Sequence, residues 1–225
     1  MRIVGPSMQQ AVAGLSRGRG AAEAAWDSLT HGLGLALSLI GLGVLLATGA
    51  QAGTARHLIA AAVYGTAMVA AYGASTLYHA LGRRPALRLV DHAGVYALIA
   101  GTYTPFALIT LWGPWGWALL TVIWTLAGVG VALKLKYIGR YKVLSVAFYL
   151  AMGWLAVVAC GPLQAALPAA GFWLVIGGGM AYSAGVAFFA LGRSVRYMHA
   201  VWHVFVLAGS GCHFAAVLLF VLPPG

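Results

Sequence analysis

The chain has 225 residues, of which 62% are hydrophobic and only 7% are charged. So few charged side chains cannot cover the surface of a water-soluble domain, and the composition therefore excludes an ordinary soluble protein and indicates a membrane protein. The net charge of +10 does not indicate a nucleic-acid-binding protein, because the basic residues lie between apolar runs rather than on one soluble face. We therefore expect membrane lipids, and no nucleic acid, as partners.

Apolar runs follow one another along the chain, with short loops between them. A bilayer core about 30 Å thick requires roughly 20 apolar residues in each helical span. The runs predict an all-α integral membrane protein with seven transmembrane helices, which form a single domain over residues 23–225 after a disordered cytoplasmic tail over residues 1–22. The predicted spans are residues 30–50, 57–79, 90–111, 115–134, 143–161, 171–191 and 199–221.

The basic residues indicate how the helices are oriented. Of the 13 Lys and Arg residues, only Arg56 lies in a loop on the predicted external side. Because Lys and Arg are retained on the cytoplasmic side of a membrane, we predict a cytoplasmic N-terminus and an external C-terminus. The residues that support this orientation are Arg2, Arg17, Arg19, Arg83, Arg84, Arg88, Lys134, Lys136, Arg140, Lys142, Arg193 and Arg196.

Ionisable side chains within or beside the spans are the first candidates for function, because a membrane makes such groups costly. Odd-numbered spans begin, and even-numbered spans end, at the same face, so this topology brings nearly all of these side chains to the predicted cytoplasmic side. His213 lies deeper, along the seventh span. The group at the cytoplasmic side comprises Glu23, Asp27, His31, Ser75, His79, Asp91, His92, His199 and His203.

The spacing of two histidines predicts a metal site. His199 and His203 stand four residues apart, which places both imidazoles on one face of a helix. Together with His79 they form a set of three neutral nitrogen ligands, and zinc accepts such a set with water in the fourth position when it acts in catalysis. The sequence therefore predicts a zinc site formed by His79, His199 and His203 near the cytoplasmic face.

Two further residues are candidates for catalysis at this site. Asp91 is predicted to orient the bound water and take its proton. Ser75, one turn before His79, is predicted to hydrogen-bond a ligand or the water. A proton relay or a structural hydrogen-bond network is the alternative interpretation of the same polar residues.

The remaining polar residues have interpretations that need no chemistry. Glu23, Asp27 and His31 are spaced four residues apart, and acidic groups suit a helix N-terminus, so capping and anchoring stand beside direct participation in the site. His57 is predicted to lie in an external loop, and His213 to hydrogen-bond between packed helices. Cys160 and Cys212 lie in apolar segments without metal-type spacing and are expected to be small core residues.

Several motifs resemble the bacterial hemolysin III branch of the superfamily that contains the progestin and adiponectin receptors. Together these motifs extend through the chain from Glu23 onward. They are E-A-A-W-D-S-L-T-H-G-L-G at Glu23 to Gly34, S-T-L-Y-H-A at Ser75 to Ala80, V-D-H-A-G-V-Y-A-L-I-A-G-T-Y-T-P-F at Val90 to Phe106, and H-A-V-W-H-V-F-V-L-A-G-S-G-C-H-F at His199 to Phe214.

The resemblance implies a seven-helix protein of the bacterial inner membrane with zinc held by His79, His199 and His203, and with Asp91 and Ser75 close by. Distantly similar alkaline ceramidases hydrolyse a lipid amide with such a set of residues. The first motif departs from the bacterial pattern at Asp27, where Asn is usual, and this adds a possible charge near the site.

Three classes of function follow from these observations. The first is a zinc-dependent hydrolase of a lipid amide or ester. The second is a membrane sensor or regulator in which zinc holds helices together without turnover. The third is a pore, which the clustering of polar residues at one face disfavours, because a conduction path requires polar groups along its whole length.

Overall fold

The computed structural model describes residues 21–81, 84–137, 140–192 and 194–223. The predicted N-terminal tail lies outside the described residues except for its last two positions. Within the described ranges the chain is helical, and seven helices are long and apolar enough to cross a membrane. The predicted all-α membrane fold is therefore confirmed.

Eight α-helices, two of which share one membrane span, make up the described chain. The helices are α1 (Ala21–Gln51), α2 (Ala55–Ala80), α3 (Pro85–Pro105), α4 (Pro114–Tyr137), α5 (Lys142–Gly153), α6 (Cys160–Ala166), α7 (Ala169–Leu191) and α8 (Met198–Phe220). A π-helical turn, Phe106–Thr110, continues α3. A 3-10 segment, Trp154–Ala159, joins α5 to α6, and these three elements form the fifth span.

Helix α1 begins well before the predicted start at residue 30. Hydropathy places the charged residues of this segment outside the span, but charge does not prevent the helix from extending. Glu23 lies in the first turn, where the helix dipole favours an acidic group. Asp27 is buried against another helix. The extension adds Glu23 and Asp27 to the helix that carries His31.

The helices pack as a closed ring around an internal cavity. Each of the first four spans packs on the next, α7 packs on α8, and α8 returns to α1. Small residues allow close approach: a Cβ atom on Gly34 would lie 2.4 Å from the Tyr72 ring, and one on Gly178 would lie 2.6 Å from the His213 ring. Large apolar side chains on the outside of the ring, such as Ile40 and Val143, are exposed as expected for residues that face lipid.

Two sets of buried hydrogen bonds connect the spans. The Tyr72 hydroxyl donates to Ser210 Oγ at 2.7 Å, and the Tyr182 hydroxyl lies 2.8 Å from the same oxygen, which links α2, α7 and α8. The Tyr103 hydroxyl on α3 contacts the irregular part of the fifth span, at 2.9 Å from the Met152 carbonyl and 2.7 Å from the Gly153 carbonyl. It also accepts from the Ala156 amide at 2.9 Å. Tyr103 therefore satisfies backbone groups that the change from α-helix to 3-10 helix leaves outside the regular pattern.

Candidate metal centre

Three histidines from two helices meet at one end of the ring. His79 lies in the last turn of α2, and His199 and His203 lie in the first two turns of α8. One side-chain ligand atom from each residue lies within 4.8 Å of the other two. His79 and His203 are buried, and His199 is half-buried. This group of imidazoles could bind a metal ion.

The start of α8 is fixed to α1 by an acidic side chain. Glu23 Oε1 accepts a hydrogen bond of 3.1 Å from the Tyr197 amide, one residue before α8 begins. Tyr197 adopts a left-handed backbone conformation, with φ of 62°. Through this contact Glu23 sets the position of the helix that carries His199 and His203.

Two side chains of α1 lie against the histidines. Asp27 Oδ2 is 3.8 Å from His79 Nδ1, and the carboxylate is buried. Thr30 Oγ1 is 2.8 Å from His203 Nδ1 and is also placed to donate its proton to the Trp26 carbonyl at 2.8 Å. When Thr30 donates to that carbonyl it must accept from His203, which places the proton on Nδ1 and the lone pair on Nε2. An imidazole held in this way presents one defined nitrogen to a metal.

His31 is buried among the same aromatic rings. Its ring centroid is 3.7 Å from that of His203 and 6.2 Å from that of His79. It also packs at 5.5 Å against Tyr72, which belongs to the hydrogen-bonded set described above. Its ring nitrogens have no hydrogen-bond partner among the described residues. His31 therefore supports the wall of the histidine group rather than joining the three-residue set.

Ser75 and Asp91 lie on a neighbouring part of the same wall. The Ser75 side chain lies close to the Asp91 carboxylate, and Arg88 is near enough to interact with that carboxylate electrostatically. Both residues line a cavity of about 550 Å³ that also reaches His79 and His199. Away from this end, the cavity wall is mainly apolar and includes Leu98, Phe106, Leu119, Leu163, Phe172 and Val206.

The other titratable candidates lie apart from the histidine group. His57 is buried in the first turn of α2, at the end opposite His79, where it contacts Thr54, so the predicted loop position is wrong. The backbone carbonyl of His92 accepts from Tyr149 at 3.3 Å. His213 Nε2 is 3.0 Å from the Val175 carbonyl, which agrees with its predicted role as a hydrogen bonder between helices. Cys160 and Cys212 are both free cysteines.

Comparison with known proteins agrees with this architecture. Residues 23–214 match the family model described as Haemolysin-III related. The chain belongs to the haemolysin-III-related family. The family match therefore starts at Glu23, the residue that connects α1 to α8, and ends just after His213.

Two bacterial proteins are similar over nearly their whole length to this haemolysin-III-related chain. It is 44% identical over 200 residues to Hemolysin-3 of Bacillus cereus, covering 88% of this chain and 91% of the relative. It is 40% identical over 197 residues to the Hemolysin-3 homolog of Bacillus subtilis, covering 86% and 92%. A more distant relative is the human Monocyte to macrophage differentiation factor, at 29% identity over 167 residues, with 71% of this chain and 69% of the relative covered.

Two supporting residues could not be identified from the sequence. Thr30 bonds a carbonyl four residues earlier, as helical threonines commonly do, and only the packing of α1 on α8 brings it to His203. In the sequence, Lys134 is one of the basic residues beside a loop that indicate the orientation in the membrane. In the structure, its side chain is buried in the last turn of α4. Neither position has a spacing pattern that would have distinguished it.

Proposed function

We propose that this protein is a zinc-dependent hydrolase that cleaves an amide or ester bond of a membrane lipid. The observation that carries the proposal is one cavity wall on which a pair of histidines, a serine and a carboxylate adjoin a long apolar interior. A lipid bound with its acyl chain among the apolar residues would present its polar linkage to His79, His199 and Asp91. The predicted topology places this end of the ring at the cytoplasmic face.

The donor set supports zinc as the metal. Three imidazoles are a common ligand set for catalytic zinc, which retains a further position for water. Asp27 and Thr30 lie where second partners of ligand histidines are normally found. The ligands would be His79, His199 and His203. Bound there, zinc supplies a water that is nucleophilic at neutral pH and polarises the acyl carbonyl.

The protein side chains account for the proton transfers. Asp91 takes a proton from the attacking water while the water oxygen forms a bond to the acyl carbon. The bond from that carbon to the leaving nitrogen or oxygen breaks, and Asp91 returns the proton to the leaving group. Ser75, which lies close to Asp91 in the cavity wall, would hold the carboxylate in position.

Turnover by the purified protein tests the proposal. We expect wild-type protein in detergent to release fatty acid from N-acyl or O-acyl lipids, measured by mass spectrometry, and to lose this activity on chelation. Asp91→Asn should retain its metal and lower the rate by roughly 10² to 10⁴, as is typical when a general base is removed. His57→Ala, which lies at the other end of α2, is the control that should keep full activity.

Each alternative function predicts a different result. If no lipid is hydrolysed while chelation lowers thermal stability, the protein is a regulator whose metal holds α2 and α8 together. Ion flux through liposomes that contain the protein would instead indicate a pore. A purified protein without a bound transition metal would contradict both metal-dependent functions.

A further inference from the structure

A buried lysine lies in the wall of the same cavity. Lys134, in the last turn of α4, is only 6% exposed. Its ammonium donates to Ser145 Oγ at 2.7 Å and lies 5.8 Å from the centre of the Tyr149 ring. Neither contact carries a full negative charge, and lysine is almost never buried without one.

The acidic residues of the chain do not neutralise this lysine. The sequence contains only three: Glu23, Asp27 and Asp91. In the described structure Glu23 bonds the Tyr197 amide, Asp27 faces His79, and Asp91 interacts with Ser75 and Arg88. The positive charge of Lys134 therefore has no carboxylate partner among the described residues.

Other basic groups lie close to Lys134. Arg88 and His92, both on α3, are near enough to interact electrostatically with Lys134. Both side chains line the same cavity, and so do the exposed Arg140 and the hydroxyl-bearing Ser145. Positive groups assembled in a wall of low polarity repel one another unless an anion lies between them. Arg88 and Lys134 form a cationic group of the kind that an anionic ligand would require, and the His92 ring lies beside it.

We propose that the cationic group binds the phosphate of an anionic lipid whose acyl chain occupies the apolar part of the cavity. Arg and Lys beside a hydroxyl are typical ligands of phosphate oxygens. The histidine group opens onto the same cavity, so one lipid spans both sites. The lipid is then the substrate as well, and this last identification rests on the proposed function. The phosphate site itself does not.

The test compares two lipids that differ only in the phosphate. Oleoyl lysophosphatidic acid and monooleoylglycerol share the acyl chain and the glycerol, and native mass spectrometry of the purified protein in a nonionic detergent measures the affinity for each. We expect the phosphate-bearing lipid to bind about tenfold or more tightly, as charge-assisted hydrogen bonds predict. Lys134→Met should remove that preference and leave monooleoylglycerol binding unchanged.

Matched variants distinguish binding from folding. Lys136→Met makes the same change of charge on the same helix, but at an exposed position, and should keep the preference. Lys134→Arg should keep it too, because the arginine preserves the charge. Arg88→Gln should weaken phosphate-lipid binding without involving the contact to Ser145. If Lys134→Met lowers the melting temperature while the preference persists, Lys134 is a structural residue and the proposal is wrong.

Two more comparisons identify the source of the phosphate and separate this proposal from the previous one. In the first comparison, inorganic phosphate is added at millimolar concentration. If it displaces the phosphate lipid, the site also binds free phosphate. If it does not, the site binds lipid headgroups alone. Native mass spectrometry distinguishes intact lipid from its hydrolysis product by mass, so binding is measured independently of turnover. If wild-type protein binds the two lipids equally, the phosphate site is wrong even if hydrolysis is observed. If the phosphate lipid binds preferentially but is not hydrolysed, only the proposed hydrolase activity is wrong.

Discussion

At the scale of single residues, the side chains that contact the histidines bear on metal binding as much as the histidines themselves. A hydrogen bond to the nitrogen that does not face the metal selects the tautomer and fixes the ring. Thr30 provides this contact for His203, and the Asp27 carboxylate faces His79 Nδ1 at 3.8 Å. Both come from α1, which contributes no histidine to the three-residue group.

Replacing Thr30 tests the tautomer of His203. Thr30→Val keeps the shape of the side chain but removes the acceptor, so we expect zinc affinity to fall by about 10-fold to 100-fold, measured by competition with a chelator of known affinity. Thr30→Ser retains the hydroxyl and is the matched control. Equal zinc affinity in the valine and serine variants would mean that His203 is oriented by packing alone.

The charge on Asp27 is tested separately from the space that its side chain fills. Asp27→Asn keeps the size of the side chain and removes the negative charge that faces His79 Nδ1, whereas Asp27→Ala removes the charge and also leaves a gap in a buried position. We therefore expect metal content, determined by elemental analysis, to decrease in the order wild type, Asn variant, Ala variant. An asparagine variant that lost as much metal as the alanine variant would show that the negative charge is the essential property.

At the scale of helices, the irregular fifth span depends on one side chain of another helix. Tyr103 on α3 contacts the Met152 and Gly153 carbonyls and the Ala156 amide through a single hydroxyl. Tyr103→Phe removes the hydroxyl that bonds the Gly153 carbonyl and the Ala156 amide, whereas the Met152 carbonyl still accepts from the Trp154 amide. We expect the free energy of unfolding to fall by about 1–3 kcal/mol, measured by denaturation in detergent.

The control for Tyr103 is a tyrosine that makes no such contact. Tyr141, just before α5, is 63% exposed, and Tyr141→Phe should leave the stability unchanged. The expectation for Tyr103 fails if the two phenylalanine variants unfold alike, since the 3-10 segment would then satisfy its own backbone groups.

Helix positions were largely predictable from the sequence, but some boundaries were not. Seven apolar runs of sufficient length predicted the spans correctly because lipid imposes a single length and polarity on every spanning helix. The start of α1 was missed because the partners that allow Glu23 and Asp27 to enter the bundle, the Tyr197 amide and His79, lie far away in the sequence. Local hydropathy contains no information about such partners.

The candidate site was likewise predictable from the sequence only in part. The four-residue spacing of His199 and His203, together with topology, predicted the meeting of three histidines because helix geometry is local and membrane topology restricts depth. The contacts of Thr30 and the burial of Lys134 arise from side-by-side packing of non-adjacent segments. Sequence spacing does not encode which faces of two helices meet.

At the scale of the whole molecule, the orientation in the membrane is still a prediction. Single cysteines at Ala86 and Ala165, in a background without Cys160 and Cys212, would lie at opposite ends of the ring and at exposed positions. We expect a membrane-impermeant maleimide to label the cysteine at 165 in intact cells and the cysteine at 86 only after lysis, because basic residues surround position 86. The reverse pattern would place the histidine group at the external face.

The ring that joins α8 to α1 also dictates when the histidine group can exist during biosynthesis. His79 enters the membrane with the second span, but His199 and His203 emerge from the ribosome with the last one, Met198–Phe220. A nascent chain with six inserted spans therefore contains one histidine of the three, and Glu23 has no Tyr197 amide to bind. Under the proposed function, metal loading follows synthesis of the last span, and we expect a product truncated before residue 198 to insert in the membrane without metal at this group.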